Sequence, residues 1–219
     1  MSRALFRRQR RTTPWLALGG VSGFALLALG FAHPPVSTLD AELGQALFAW
    51  RDGALAQACV ALARLFDGLG YAPVQAAWVA LIAALLASLG GDRPAAGVLV
   101  MAMLGQWGVN QLGKTLIDRP RPQLDPQLYT VGASFPSGHA MSATVLYGFL
   151  LLWLWPRCRP GLRPWLALAA IGWIAAQALA RPLLGAHYLS DVLAGVALGL
   201  ACLAPAHAWL TQRDSHAFA

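Results

Sequence analysis

Residues 114–139 read K-T-L-I-D-R-P-R-P-Q-L-D-P-Q-L-Y-T-V-G-A-S-F-P-S-G-H. The stretch gathers Lys114, two arginines, Ser137, Gly138 and His139 between two apolar runs, and Lys114 is the only lysine in the chain. A second polar stretch, A-R-P-L-L-G-A-H-Y-L-S-D at 180–191, lies between two later apolar runs and adds Arg181, His187 and Asp191. If those runs cross a membrane, the whole set can meet at one surface. Cations, backbone donors and two histidines beside lipid suit chemistry on a phosphate.

Composition supports the membrane. Of 219 residues, 58% are hydrophobic and only 11% charged, against about 25% charged in an ordinary soluble domain. Mean hydropathy is +0.55. Such a chain lacks the polar surface to face water on all sides. The formal charge of +7 does not imply nucleic acid, because the arginines cluster at segment ends, where topology and anionic lipid account for them. Cys59, Cys158 and Cys202 form no spaced set that would suggest a disulfide framework or a zinc site.

Six apolar runs are expected to span, at 15–32, 73–89, 95–117, 140–155, 164–179 and 189–210. Their lengths suit a bilayer core of about 30 Å, which needs roughly 20 helical residues. The first follows a basic segment at 1–14, carrying Arg3, Arg7, Arg8, Arg10 and Arg11. It is longer than the roughly 7–15 residues of a signal-peptide core and lacks a clean cleavage site, so it reads as a span. Gln106, Asn110 and Gln111 in the third run would have to face other helices. Between the first two runs, Leu39, Leu43, Leu47 and Trp50 recur at helical spacing, which suggests amphipathic helices at the interface. There Arg64 and Asp67, three apart, could pair on one face, and the region receives no catalytic role. A short polar tail, 211–219, follows the last span.

With the amino terminus in the cytoplasm, that side holds the five N-terminal arginines, Arg93, Arg157, Arg159, Arg163 and Arg213. The outer side holds Arg51, Arg64, Lys114, Arg119, Arg121 and Arg181, four of which lie in the polar stretches. The bias favours this orientation. Counting spans then brings the end of the third, the start of the fourth and the turn between the last two to the outer face.

Each stretch has a chemical and a bland reading. Pro120 and Pro122 must end the helix between Lys114 and Arg121, so the lysine would project from the helix end and the arginine from an extended segment. Together they offer a point charge and a planar fork for phosphate oxygens, or else two cations snorkelling to headgroups. In P-S-G-H, Ser137 can cap the helix that follows and Gly138 lets backbone approach a ligand. The first-turn N–H groups and the helix dipole would then make an anion site beside His139; the alternative is an ordinary helix start. His187 and Asp191, four apart, are neighbours if the last helix has begun, and the carboxylate would fix the imidazole tautomer. Arg181 would reach the same anion. Each stretch alone is ambiguous; three on one face are not.

These residues resemble the type 2 phosphatidic acid phosphatase family, membrane lipid phosphatases whose site is shared with vanadium haloperoxidases and glucose-6-phosphatase. K-x6-R-P is matched by Lys114, Arg121 and Pro122, P-S-G-H by residues 136–139, and S-R-x5-H-x3-D by Arg181, His187 and Asp191, with Ala180 in place of the usual serine. The resemblance implies an all-α membrane bundle of about six transmembrane helices with an acid phosphatase/vanadium haloperoxidase-like core. It implies that Lys114, Arg121, Arg181, Ser137 and Gly138 hold the phosphoryl group, that His187 is the nucleophile oriented by Asp191, and that His139 is the acid and base. The substrate would be a lipid phosphate or diphosphate of the phosphatidic acid, phosphatidylglycerol phosphate or undecaprenyl diphosphate type. The setting would be a bacterial inner membrane with the site on its periplasmic face. Ala180 lacks a hydroxyl that could bond phosphate. No metal or other cofactor is implied, since Asp118 and Asp125 are too few carboxylates and sit among cations. Two other classes fit less well: an intramembrane serine protease has no use for three cations, and a lipid-phosphate binding or transport protein has none for the two histidines.

Overall fold

The computed structural model describes residues 3–122, 124 and 131–217, so Asp125 lies outside the described residues. Among these, all regular structure is helical. The α-helices are α1 (Arg3–Gly30), α2 (Val36–Ala49), α3 (Ala54–Leu69), α4 (Ala72–Ser88), α5 (Arg93–Ile117), α6 (Gly138–Leu154), α7 (Arg163–Leu183) and α8 (Leu189–Ala217). The six runs expected to span coincide with α1, α4, α5, α6, α7 and α8. By length and apolarity alone, Thr12–Gly30, Pro160–Leu183 and Leu189–Arg213 qualify as spans, and Leu55–Leu69 with Ala72–Ser88 forms a further pair bent by 63°. The 17 residues of α6 give about 25 Å of helix, short of a full core, while α5 dilutes its apolar surface with amides. Outward-facing leucines and tryptophans, among them Leu26, Leu29, Leu104 and Trp165, are exposed over much of the bundle, as a lipid-facing surface requires.

Local chemistry sets the helix ends. The Asp92 side chain accepts the Ala95 N–H at 3.1 Å and caps α5, and Pro94 and Pro164 stand in first turns, where their missing N–H costs nothing. α5 stops at Ile117, and Asp118 takes the left-handed conformation with φ of 44°, just before the two prolines. α7 runs farther than the apolar run suggested, to Leu183. Arg181 and Pro182 thus belong to its last turn, where a proline disturbs little of the helix ahead of it.

Glycines decide how closely the central helices approach. A side chain at Gly195 would lie 2.5 Å from the Ser137 carbonyl, and one at Gly199 2.9 Å from the Met141 carbonyl. This glycine pair, four apart on α8, draws α8 against α6 in the small-residue manner of membrane helices. The start of α6 and the start of α8 therefore sit side by side. Leu99, Met103, Val145, Leu146, Phe149 and Leu203 fill the core between α5, α6 and α8.

One expectation about polar residues needs correction. Gln106 and Asn110 are buried, but Gln111 is exposed; it stands one residue, about 100° of helix, around from Asn110. On α2 the buried residue is Asp40, while Leu39 and, just past the helix end, Trp50 face outward. The region 33–72 supplies carboxylates to the bundle as well as an amphipathic surface.

Candidate active site

The three polar stretches meet at one end of the bundle. Lys114, in the last turn of α5, donates to the Ala133 carbonyl. Arg121 lies in the extended segment after α5. Its Nε donates to Gly132 O at 2.9 Å, and its terminal nitrogens reach Val131 O at 3.1 Å, Ala133 O at 3.3 Å and Ala186 O at 3.0 Å. Carbonyls thus fix the guanidinium plane, and one terminal nitrogen lies 3.2 Å from His187 Nε2. Lys114, Arg121, Arg181 and Asp191 are within electrostatic reach of one another.

His187 and Asp191 form the pair that their spacing suggested. His187 Nδ1 lies 3.3 Å from Asp191 Oδ2, at 2% and 0% exposure. The same carboxylate accepts the Ser134 hydroxyl, the Tyr188 N–H at 2.9 Å and Arg119 at 2.6 Å. A carboxylate so surrounded can only accept, so Nδ1 carries the ring proton and Nε2 keeps its lone pair. Burial holds the His187 imidazole down at about 3; the Asp191 hydrogen bond opposes this and Arg181 adds to it. The ring is neutral at neutral pH.

Ser137 stands at the N-cap of α6, but its hydroxyl makes no capping bond. The expected cap is absent because the Ser137 N–H is tied to the Asp191 carbonyl at 3.0 Å, which turns this residue toward α8. Its Oγ is fully buried without a partner, and so is Nε of Arg181. Unmet buried donors are costly, typically about 1–3 kcal/mol each, and these two come from two of the three stretches. Gly138 is half-buried against Asn110: a Cβ there would lie 3.2 Å from the amide oxygen, so glycine is needed for the close packing that puts this backbone at the site.

His139 and Arg181 have a neighbour that the sequence did not suggest. Asp67, at the end of α3, pairs with Arg181 and with His139 Nε2, the latter at 3.4 Å. The expected Arg64–Asp67 pair gives way to this one, because the Asp67 face of α3 packs toward α7. Arg119 was also missed as a site residue. It is buried between Asp191 and Asp40, reaches Ser190 at 2.7 Å and Asp40 at 2.9 Å, and stacks on Phe31 and Tyr188. Ala180 packs with Val60, Ala63 and Leu184, so its methyl belongs to an apolar contact between α3 and α7.

The molecule is thus an all-helical integral membrane protein whose histidine, serine and arginine motifs come together in one polar cluster at the end of the bundle. The sequence pattern of the PAP2 superfamily matches residues 95–215, more than half of the chain and all three motifs, and the chain belongs to that superfamily. Phosphatidylglycerophosphatase B of Bacillus subtilis (strain 168) is 34% identical over 108 residues, 48% of this chain and 53% of that protein. The match therefore spans about half the length of that relative. The fold is that of the crystal structure described as the first transmembrane PAP2 type phosphatidylglycerolphosphate phosphatase from Bacillus subtilis. The TM-score is 0.74 at 22% identity, over 92% of this chain and 98% of that one.

Proposed function

We propose that this protein removes the terminal phosphate of a membrane lipid through a phosphohistidine at His187. The observation that carries this reading is the setting of His187: neutral, with Nδ1 on Asp191 and Nε2 beside Arg121. Nε2 attacks phosphorus in line as the bond to the lipid oxygen breaks. Lys114, Arg121, Arg181, the Ser137 hydroxyl and the Gly138 backbone hold the phosphoryl oxygens, and their fixed charges offset the charge that develops there. Ser137 Oγ and Arg181 Nε find in those oxygens the acceptors they lack. His139 protonates the leaving alkoxide, then takes a proton from the water that attacks phosphorus and frees His187.

The chemistry of the donor set favours a reaction without a metal. Asp40 and Asp191 face Arg119, and Asp67 faces Arg181, which leaves the charge-neutralising role to Lys114, Arg121 and Arg181. A lipid substrate suits a pocket at the end of a bundle with apolar outer walls. The Bacillus relative puts phosphatidylglycerol phosphate first among candidates, and phosphatidic acid and undecaprenyl diphosphate offer the same terminal group. The arginine distribution supports a site on the outer face of a bacterial cell membrane. The test is phosphate release from these lipids by the purified protein in EDTA, with vanadate as inhibitor. Release that persists in EDTA and stops with vanadate supports the reading. No release from any lipid, or loss in EDTA restored by magnesium, would overturn it.

A further inference from the structure

The end of α3 is built around the His139 ring. His139 Nε2 donates to the Asp67 main-chain oxygen at 3.1 Å, and the Asp67 carboxylate lies beside the same nitrogen, 3.4 Å away, as a counter-charge. A carbonyl oxygen has no proton to give, so Nε2 must carry one. Three residues on, Gly70 lies flat against the ring: a Cβ there would collide with His139 Cδ2. The carboxylate also binds Arg181. His139 Nδ1 has no partner among the described residues.

We propose that Asp67 is a positioning residue for His139, so that the site contains two His–Asp pairs of opposite tautomer. Asp191 holds Nδ1 of His187 and leaves Nε2 to attack. Asp67 holds Nε2 of His139 and leaves Nδ1 to move protons. In the first step the bond from His187 Nε2 to phosphorus forms, the bond to the lipid oxygen breaks, and the His139 Nδ1 proton goes to that oxygen. In the second, water attacks phosphorus, its proton passes to Nδ1, and the bond to His187 breaks. Nε2 keeps its proton on Asp67 throughout. The acid form of His139 is a cation disfavoured by burial and by Arg181 and Arg121, and Asp67 is the anion that opposes them. This inference rests on the phosphatase reading above.

The test compares Asp67→Asn, Asp67→Glu and Gly70→Ala with His139→Ala, on phosphatidic acid and on p-nitrophenyl phosphate, whose leaving group departs without a proton. His139→Ala should lose far more on the lipid. Asp67→Asn should show the same split on a smaller scale, about 10–100-fold on the lipid, a fraction of what an acid contributes. KM should stay nearly unchanged, and Asp67→Glu should recover part of the loss. Gly70→Ala, which pushes the ring off Asp67, should give the same split and carries the test if Asp67→Asn does not fold. Facing His139 are Asp67 from α3, Arg181 from α7 and Arg121 from the segment after α5. Losing the one anion among them disfavours the imidazolium, so the alkaline limb of kcat on the lipid should move to lower pH. Equal losses on both substrates, or a loss wholly in KM, would mean that Asp67 only anchors Arg181 and would overturn the proposal. A split in His139→Ala that is absent from the Asp67 and Gly70 variants sinks the positioning role alone. No split in His139→Ala sinks the acid role and Asp67's with it.

Discussion

The two ends of the bundle both carry aspartate–arginine clusters, and they are built on different plans. At the end away from the site, Asp92 is ringed by donors: the Ala95 N–H, the Trp153 indole at 2.7 Å, Arg157 at 3.2 Å and Arg213 at 2.6 Å. The two arginines there are 34% and 25% exposed, so water takes up the charge that Asp92 does not balance. At the site, Arg119 and Arg181 are 7% and 9% exposed and paired with aspartates, two donors have no acceptor, and Lys114 and Arg121 have no carboxylate of their own among the described residues. A satisfied cluster ties helices together. An unsatisfied, cation-rich one suits the anion that the proposed function requires.

Substitutions at the two ends should therefore differ in kind. The largest effect belongs to His187→Ala, which removes the proposed nucleophile: turnover of lipid and of p-nitrophenyl phosphate should fall to background, a loss beyond the roughly 10²–10⁴-fold of an acid–base group. Residual activity with a phosphohistidine still present would move the nucleophile elsewhere. Next is His139→Ala, with a loss of about 10²–10⁴-fold on phosphatidic acid and distinctly less on p-nitrophenyl phosphate. Its kcat on the latter should stay flat from pH 8 to about pH 5, because burial keeps His187 unprotonated down to about 3. An acidic limb near the ordinary histidine value of about 6.5 would contradict that setting.

Asp92→Ala belongs to the other plan. It should lower thermal stability in detergent by about 1–2 kcal/mol while activity per folded molecule is kept. Burial alone would raise the Asp92 carboxyl; the bonds from Trp153, Arg213 and Ala95 outweigh it and pull the group below its ordinary 3.8. Its contribution is therefore present above about pH 4 and lost as pH falls below that. A loss of activity larger than the loss of folded protein would blur the distinction between the ends. The smallest expected effect is on function itself: cysteine at exposed Val131 or at Gly161 should leave activity intact. With the site outside, Val131→Cys should react with an impermeant thiol reagent in whole cells, and Gly161→Cys only after lysis. The reverse pattern would turn the molecule over.

The sequence showed those parts of the site that local chain geometry places. P-S-G-H announces a helix start, the prolines after Lys114 a helix end, and the four-residue spacing of His187 and Asp191 a shared face. Asp40 and Asp67 were not legible, since they reach the site from helices 72 to 150 residues from their partners in the chain. In sequence Asp40 shares its helix with Glu42, and Asp67 has Arg64 three residues before it as a nearer partner. The available signal was general: an acidic residue in a membrane bundle must find a partner, and the motif arginines were cations to suspect. Arg119 lay in plain view within the first motif, but nothing in the spacing separates its part from that of Arg121. The glycine pair on α8 could have been read as a packing face, and it explains why α6 and α8 begin side by side.

The most direct test of the central claim is to find the covalent intermediate. Turnover of a lipid with a radiolabelled terminal phosphate, stopped with denaturant at alkaline pH, should leave an acid-labile label on the protein. Digestion should place it on the peptide that contains His187, and His187→Ala should carry none. A label on Ser137, or none at any time during rapid turnover, would contradict the account.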